Sequence, residues 1–359
     1  MRIKVFTVLA MLPWMASAQT QSQTDVLEAM KQADMLPKIH GTFRGKYEYQ
    51  PEMEAGRFET RNARVGIEGK LPLHLSYKLQ ADLSDEGKMK MLDAYASLNP
   101  WRTLNITVGQ MRVPFTIDAH RGPGKQFFAN RSFIAKLVGN VRDVGAKVGY
   151  EWEAPFKIIA DAGVFGSSGI DEAQKDAWRS DLNYSARIQT FPLKNVNFTA
   201  SVQRFRCNKI EWAHYTSVDF GAYYSNKHVH VEGEYLRKHY ENGICDDVNS
   251  FNFMSIYRHK LNKCFFNSMS YLLRWDYMDN HADGKSLYLD SDGEWDGTYR
   301  LKPNQAKRHR LTAGLTFHLK ASPFNAELRL NYENYFYDSD IAPKTAEQDK
   351  VVAELVVNF

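Results

Sequence analysis

From Lys38 to Phe359 the hydrophobic period of this chain is two. Ile39, Gly41, Phe43, Gly45, Tyr47 and Tyr49 alternate with His40, Thr42, Arg44, Lys46, Glu48 and Gln50. Successive side chains of a strand point to opposite faces, so this run is a strand with one apolar and one polar side. Ala63-Val65-Ile67 repeats the pattern against Arg64-Gly66-Glu68, and Leu73 to Ala81 against His74 to Asp82. Leu92-Ala94-Ala96-Leu98 does so against Asp93-Tyr95-Ser97, then Leu104-Ile106-Val108 against Asn105-Thr107-Gly109. Further runs lie at 144–150, 158–164, 182–188, 196–202, 216–224, 229–235, 251–257, 265–277, 309–319, 324–334 and 351–359. The count is about sixteen strands, an even number within the range of bacterial outer-membrane barrels.

The head of the chain says where the apolar faces go. Arg2 and Lys4 precede an apolar run from Val5 to Trp14, and Ala16-Ser17-Ala18 supplies a cleavage site. That is the pattern of a secretory signal peptide, and its core is too short to span a bilayer. No later apolar run is long enough for a membrane helix. Half-apolar strands can then cross a membrane only as a closed barrel, because lipid offers no hydrogen-bond partner to an open strand edge. The expected organisation is a signal peptide over 1–18, a short periplasmic lead-in over 19–37 with a small helix from Asp25 to Met35, and one antiparallel transmembrane β-barrel over 38–359.

The connections agree. Short ones fall at 70–72, 99–101, 153–155, 191–193, 226–227, 258–263 and 321–323, and several carry a proline, which suits a tight strand end. Longer ones fall between them at 50–56, 84–88, 112–140, 166–181, 206–215, 238–249, 279–305 and 338–349. Alternating short periplasmic turns and long outer loops are the habit of a barrel in the outer membrane of a Gram-negative bacterium. The final run Val351, Ala353, Leu355, Val357, Phe359 ends on an aromatic. It is expected to serve as the signal that the barrel assembly machinery reads.

A net charge of +4 gives no global basic field, so nucleic acid is not an expected partner. An aromatic fraction of 13% with a mean hydropathy of −0.49 suits a wall girdled by aromatic rings, and Trp101, Trp152 and Trp212 are expected at the rims against outer-membrane lipid. Three cysteines are too few for a disulfide framework. Cys207 and Cys245 fall in neighbouring outer loops, and their pairing stays open.

The polar faces would line a water-filled lumen. Parity puts Arg44, Lys46, Arg64, Lys78, Lys147, Arg187, Arg310 and Arg329 there, as ordinary wall residues. The connection from Arg112 to Asn140 is different. It holds Arg112, Arg121, Lys125, Arg131 and Lys136 against the single acid Asp118, and Pro114 and Gly122-Pro123-Gly124 let it fold over. Its expected place is inside the lumen as a constriction, with Arg112, Arg121, Lys125 and Arg131 around the narrowest point. Confined cations of this kind select for anions. The carboxylates of Asp290 to Asp296 lack the full calcium-loop pattern and read as a solvated turn. His228, His230, Glu232 and Glu234 share a face that reads as hydrated wall rather than a metal site. No Walker loop, zinc signature or Ser-His-Asp order stands out, and no cofactor is implied.

Three segments carry a family resemblance. Gly109-Gln110-Met111-Arg112-Val113-Pro114-Phe115, Asn130-Arg131-Ser132 and Arg142-Asp143-Val144-Gly145-Ala146 resemble the core of the phosphate-selective porin O and P family. Arg57 to Gly69 resembles its second strand and Asp93-Ala94-Tyr95 its fourth. The resemblance implies a 16-stranded barrel, often trimeric, with basic residues along the lumen and a loop lysine that contacts phosphate. Arg131 matches the family's loop arginine, and Lys125 occupies the region of the lysine. Asn130 stands where an acidic residue is usual, and Asp118 where Glu is usual. The expected function is passive diffusion of small hydrophilic solutes with preference for anions such as phosphate. A general or oligosaccharide porin is the alternative, suggested by the many Tyr and Trp; a barrel enzyme or a plugged structural barrel stands further off. Deletion of Phe359 should leave export and signal cleavage intact and lower the folded outer-membrane level, as read by surface labelling against total processed protein.

Overall fold

The computed structural model describes residues 35–85, 88–137, 141–166, 178, 182–206, 214–261, 265–282, 287–288, 300–301, 303–321 and 324–359. The segments expected as signal peptide and lead-in helix, together with Trp212, Cys207, Cys264 and the Asp290–Asp296 segment, lie outside them. The strands are β1 (Lys38–Gln50), β2 (Ala55–Leu71), β3 (Leu75–Asp85), β4 (Lys88–Trp101), β5 (Leu104–Arg112), β6 (Arg142–Trp152), β7 (Lys157–Phe165) and β8 (Asn183–Phe191). They continue as β9 (Val196–Arg206), β10 (His214–Ser225), β11 (Val229–Tyr240), β12 (Val248–Lys260) and β13 (Ser268–Met278). A two-residue hairpin, β14 (Leu287–Tyr288) with β15 (Arg300–Leu301), precedes β16 (Arg308–Ala321), β17 (Phe324–Tyr337) and β18 (Lys350–Asn358).

All of these except β14 and β15 form one closed antiparallel barrel of sixteen strands. Closure joins the two ends of the strand series: β1 pairs with β18 from Thr42 opposite Asn358 to Tyr49 opposite Val351. Gly41 and Phe359 complete the seam with reciprocal backbone hydrogen bonds of 2.9 and 3.1 Å. No strand edge of the barrel is left for lipid.

The alternation sets the two faces. Val351 and Leu355 of β18 are exposed on the outside, while Lys350, Val352, Glu354 and Val356 are buried inside. Phe198, Phe220, Phe253, Leu273 and Trp275 likewise present outward. Trp101 and Trp152 end β4 and β6 beside the short turns and are exposed, as interface anchors require.

Two expectations about the apolar face need correction. A register shift between Gln80 and Ala81 on β3 marks a bulge in β4, so Met91 faces out and Leu92 is buried. Parity therefore fails for Leu92 while holding for Ala94 and Leu98. Second, Met254, Ile256 and Leu272 face inward, where the loop after β5 packs against them. The lumen carries an apolar core of its own. Placing Arg at outward-facing Leu273 should cost about 2–4 kcal/mol at the bilayer midplane, falling toward the rims; urea unfolding in phospholipid vesicles would measure it.

Candidate functional site: the loop within the barrel

The connection between β5 and β6 turns into the lumen. Gly109, with φ of +124°, prepares the departure, for a Cβ there would stand 2.3 Å from the Ala94 carbonyl. Only glycine takes that φ without strain while letting β4 come so close. At the loop's lowest turn a Cβ on Gly124 would stand 2.3 Å from Asn358 Oδ1, so this turn is pressed onto β18.

Two apolar clusters seat the loop. Val113, Phe115, Ala119, Phe133, Ile134 and Leu137 pack with Phe165, Phe205, Leu236, Val248 and Met278 of the wall. Phe128 packs with Met254, Ile256 and Leu272. Guanidinium groups cover the aromatic faces, Arg274 at 4.4 Å from the Phe128 centroid and Arg310 at 4.5 Å from that of Phe133.

Polar groups of the wall meet the loop's backbone. The Glu234 carboxylate accepts from the N–H groups of Ile117 and Asp118. Ser201 accepts from Thr116 N–H at 3.1 Å and Asn331 from Ala129 N–H at 2.9 Å. Arg274 donates to the Asn130 carbonyl at 2.9 Å and Arg310 to the Arg131 carbonyl at 2.6 Å. Thr116 holds a left-handed φ of 60°, unfavourable for a β-branched residue, and its carbonyl accepts from Arg187 at 3.2 Å. At the outer end Lys136 pairs with Glu347, which also meets Arg308 at 2.7 Å. Burial pulls the Lys136 ammonium down to about 8, against the pull of Glu347.

The four loop cations do not converge on one point as the sequence suggested. Arg121 pairs with Glu232 and with Asp118 at 3.3 Å, and its guanidinium lies over Phe127. Lys125 lies on the turn-side face of the loop, beside the wall of β12, β13, β16 and β17. Arg112 and Arg131 remain. Arg112 donates to the Ala119 carbonyl at 3.0 Å, and Arg131 to the carbonyls of Asp118 at 2.7 Å and Arg121 at 2.8 Å. Neither forms an ion pair with a described carboxylate, so their charges are left without a direct counter-ion.

Among the expected wall residues, Arg44, Arg64, Lys147 and Arg187 do face inward, but they are engaged. Arg44 pairs with Glu354 at 2.6 Å, Arg64 with Asp82 at 2.8 Å and Lys147 with Asp161 at 3.0 Å. Arg142 pairs with Asp93 at 2.5 Å. His230, Glu232 and Glu234 are buried under the loop rather than hydrated. His230 Nε2 meets Glu232 at 3.1 Å, and no metal-ligand cluster occurs among the described residues. Asn130 has a physical reason for not being acidic. Its amide donates to Glu333 at 2.9 Å and to Glu48 at 3.4 Å, two carboxylates that a third would repel.

With the loop packed against β9 to β13 and tied to β17 and β18, open space is left on the side of β2 to β6. A cavity of about 460 Å³ there opens toward the short turns and is lined by Lys78, Asp93, Tyr95, Arg112, His120 and Lys147 among others. Burial and the surrounding cations Arg187, Arg112, Lys147 and Arg142 push the His120 pKa well below its usual value, so its ring stays neutral.

The sequence model of the phosphate-selective porin O and P family matches residues 38–211. Over that stretch the chain is similar to that family, in agreement with the segments that resemble it. It is an outer-membrane porin, and its place is the outer membrane of a Gram-negative bacterium. No curated protein sequence matches it. Solved structures share the fold at low identity. OmpF of Salmonella typhi, in complex with daunomycin, is 12% identical at a TM-score of 0.60, covering 91% of this porin and 99% of that chain. The anion-selective porin from Comamonas acidovorans is 10% identical at 0.55, covering 90% and 98%. OmpT of Vibrio cholerae in its trimer form is 10% identical at 0.57, covering 90% and 98%.

Glu234→Ala should strip two loop N–H groups of their acceptor, at about 1–3 kcal/mol for each buried group left unpaired. Single-channel currents of the variant are expected to be larger and noisier as the loop leaves the wall, with Glu234→Gln closer to wild type.

Proposed function

We propose that this porin passes small hydrophilic anions, phosphate among them, between the inner loop and the wall of β2 to β6. The observation that carries the reading is the state of Arg112 and Arg131. Their guanidinium groups bond only to backbone carbonyls, and Arg64 and Arg142 stand within electrostatic reach of Arg112. In a narrow passage with low-dielectric walls, such charges raise the local concentration of anions. Arginine also offers phosphate oxygens several donors in a planar fork. The carbonyl contacts hold the forks in place without neutralising them. Asp82 and Asp93 temper the opposite side, which suits a path that must release what it binds.

The family's name and the anion-selective porin from Comamonas acidovorans point the same way. The oligosaccharide alternative has less support from tryptophan, because Trp101, Trp152 and Trp275 face outward, although Tyr77 and Tyr95 line the cavity. We read the barrel as a passive channel and not an enzyme: Glu234 holds loop backbone, and Glu232, Asp276, Glu333 and Glu354 pair with arginines. The trimer of the Vibrio cholerae relative suggests the same assembly here, to be read from the mass of the detergent-extracted protein.

Arg112→Gln combined with Arg131→Gln should lower the anion-over-cation permeability ratio by about threefold or more, the direction set by the loss of two lumen charges. It should also weaken the block of chloride current by phosphate. Reversal potentials across a planar bilayer in a salt gradient measure the first. An unchanged reversal potential would mean that Arg112 and Arg131 do not select.

A further inference from the structure

Gly233 stands in the middle of β11 without a reason from the barrel itself. Every other glycine of the described strands has a neighbour that a Cβ would crowd. A Cβ on Gly145 would meet the Val164 carbonyl at 2.1 Å, one on Gly314 the Leu330 carbonyl at 2.7 Å, and one on Gly221 the loop's Ile117 at 2.5 Å. At Gly233 the nearest atom would be Phe253 Cδ2 at 3.8 Å, an ordinary contact. Its φ is outside the left-handed region, and its pairing with Ala222 and Phe253 runs without a register shift. A glycine inside a strand weakens it, and marks a bulge, a bend or a place where something else approaches closely. With a regular ladder on both sides, the close approach must come from outside the wall.

Gly233 lies on the outward face, where it and its β10 partner Ala222 floor an open apolar cleft of about 930 Å³. Exposed rings stand around this floor. Phe198 is opposite Ala222, Phe253 is opposite Gly233, and Phe220 with Tyr235 forms the next pair toward the outer loops. Beyond that pair the outward residues of β11 turn polar. Arg237 and His239 both meet Asp247, at 2.6 Å each, and the Tyr235 hydroxyl donates to Asn249 at 2.7 Å. From Gly233 to Arg237 is about 13 Å of strand, roughly half the apolar band of a barrel of this kind. Over that distance the wall changes from apolar floor to ring, hydroxyl and guanidinium, as a leaflet changes from acyl chain to headgroup.

We propose that this cleft binds one phosphorylated lipid of the outer leaflet, with an acyl chain over Gly233 and Ala222 and the phosphate at Arg237 and His239. A narrow, flexible chain reaches the floor between the rings. The broad wall of a second barrel would rest on Phe198, Phe220 and Phe253 and leave the floor empty, forfeiting dispersion contacts all around it. Asp247 gathers Arg237 and His239 at one place, and a guanidinium offers phosphate oxygens a fork of donors. The cleft shares no lining residue with the passage beside β2 to β6, so it stands apart from the channel's selectivity.

The test is native mass spectrometry of the detergent-solubilised full chain, titrated with dimyristoyl phosphatidylglycerol or with the phosphate-free dimyristoylglycerol. One phosphatidylglycerol per chain is expected to stay bound. Gly233→Leu, which fills the floor, and Arg237→Gln, which removes the fork, should each weaken it by about fivefold or more. The phosphate-free lipid should bind the wild type more weakly by a similar factor. Val148→Leu, at an exposed outward position on β6, should bind as the wild type does. Heat-modifiable migration on a gel confirms that each barrel is folded, and Gly233→Leu should unfold at no lower urea concentration than wild type, since leucine suits a strand better than glycine. A folded Gly233→Leu barrel that holds the lipid as tightly as wild type overturns the proposal. So does equal binding of the two lipids. So does a Gly233→Leu variant that loses oligomer mass while its lipid binding is unchanged, because the occupant would then be a second copy of the chain.

Discussion

An irregular stretch of backbone inside a membrane barrel must have every buried N–H and C=O answered, and the rest of this structure follows from how that is done. The barrel wall satisfies itself through its ladders. The loop between β5 and β6 has no ladder, so side chains of the wall reach in to complete it. Glu234 holds two amides, and Arg274 and Arg310 hold two carbonyls. Groups that would look like lumen charges on any strand diagram are hydrogen-bond partners for a loop backbone. A buried amide or carbonyl left without such a partner would cost about 1–3 kcal/mol.

This requirement also shapes the pore. The loop needs apolar seats as well as polar ones, and the clusters around Phe133 and Phe128 place both seats on the β9 to β13 side. Once that half is filled by packed side chains, water and solutes are left the half beside β2 to β6. The cavity is off-centre because the loop has a core of its own. Its charge has the same origin. Arg112 and Arg131 face their own loop's carbonyls and so keep their charge, whereas Arg121 is neutralised by Glu232 and Asp118.

Much of the fold was legible in the sequence because a strand's faces repeat every second residue. Sixteen strands, the inward parity of Arg44 and Arg329, the outward rings at the turn rims and the inward loop could all be read along the chain. Leu92 escaped because a bulge shifts parity by one residue, and a bulge is set by the partner strand. Met254, Ile256 and Leu272 escaped for a related reason. An apolar residue on a polar face looks like noise until the loop that covers it is in place. Their one visible signal was an apolar residue on both faces of the same strand.

The sequence by itself determined a closed membrane barrel with basic residues inside it, because period, loop lengths and export signal are local properties of the chain. It did not determine which of those cations are free. Arg121 and Glu232 are 111 positions apart and Arg44 and Glu354 are 310 apart. Only the closed barrel with its loop folded in brings such groups within a few ångströms. Whether an arginine meets a carboxylate or a carbonyl decides whether its charge remains available to a passing solute. That choice belongs to the tertiary structure, because an electrostatic partner is defined by distance through space and the chain's own order does not contain it.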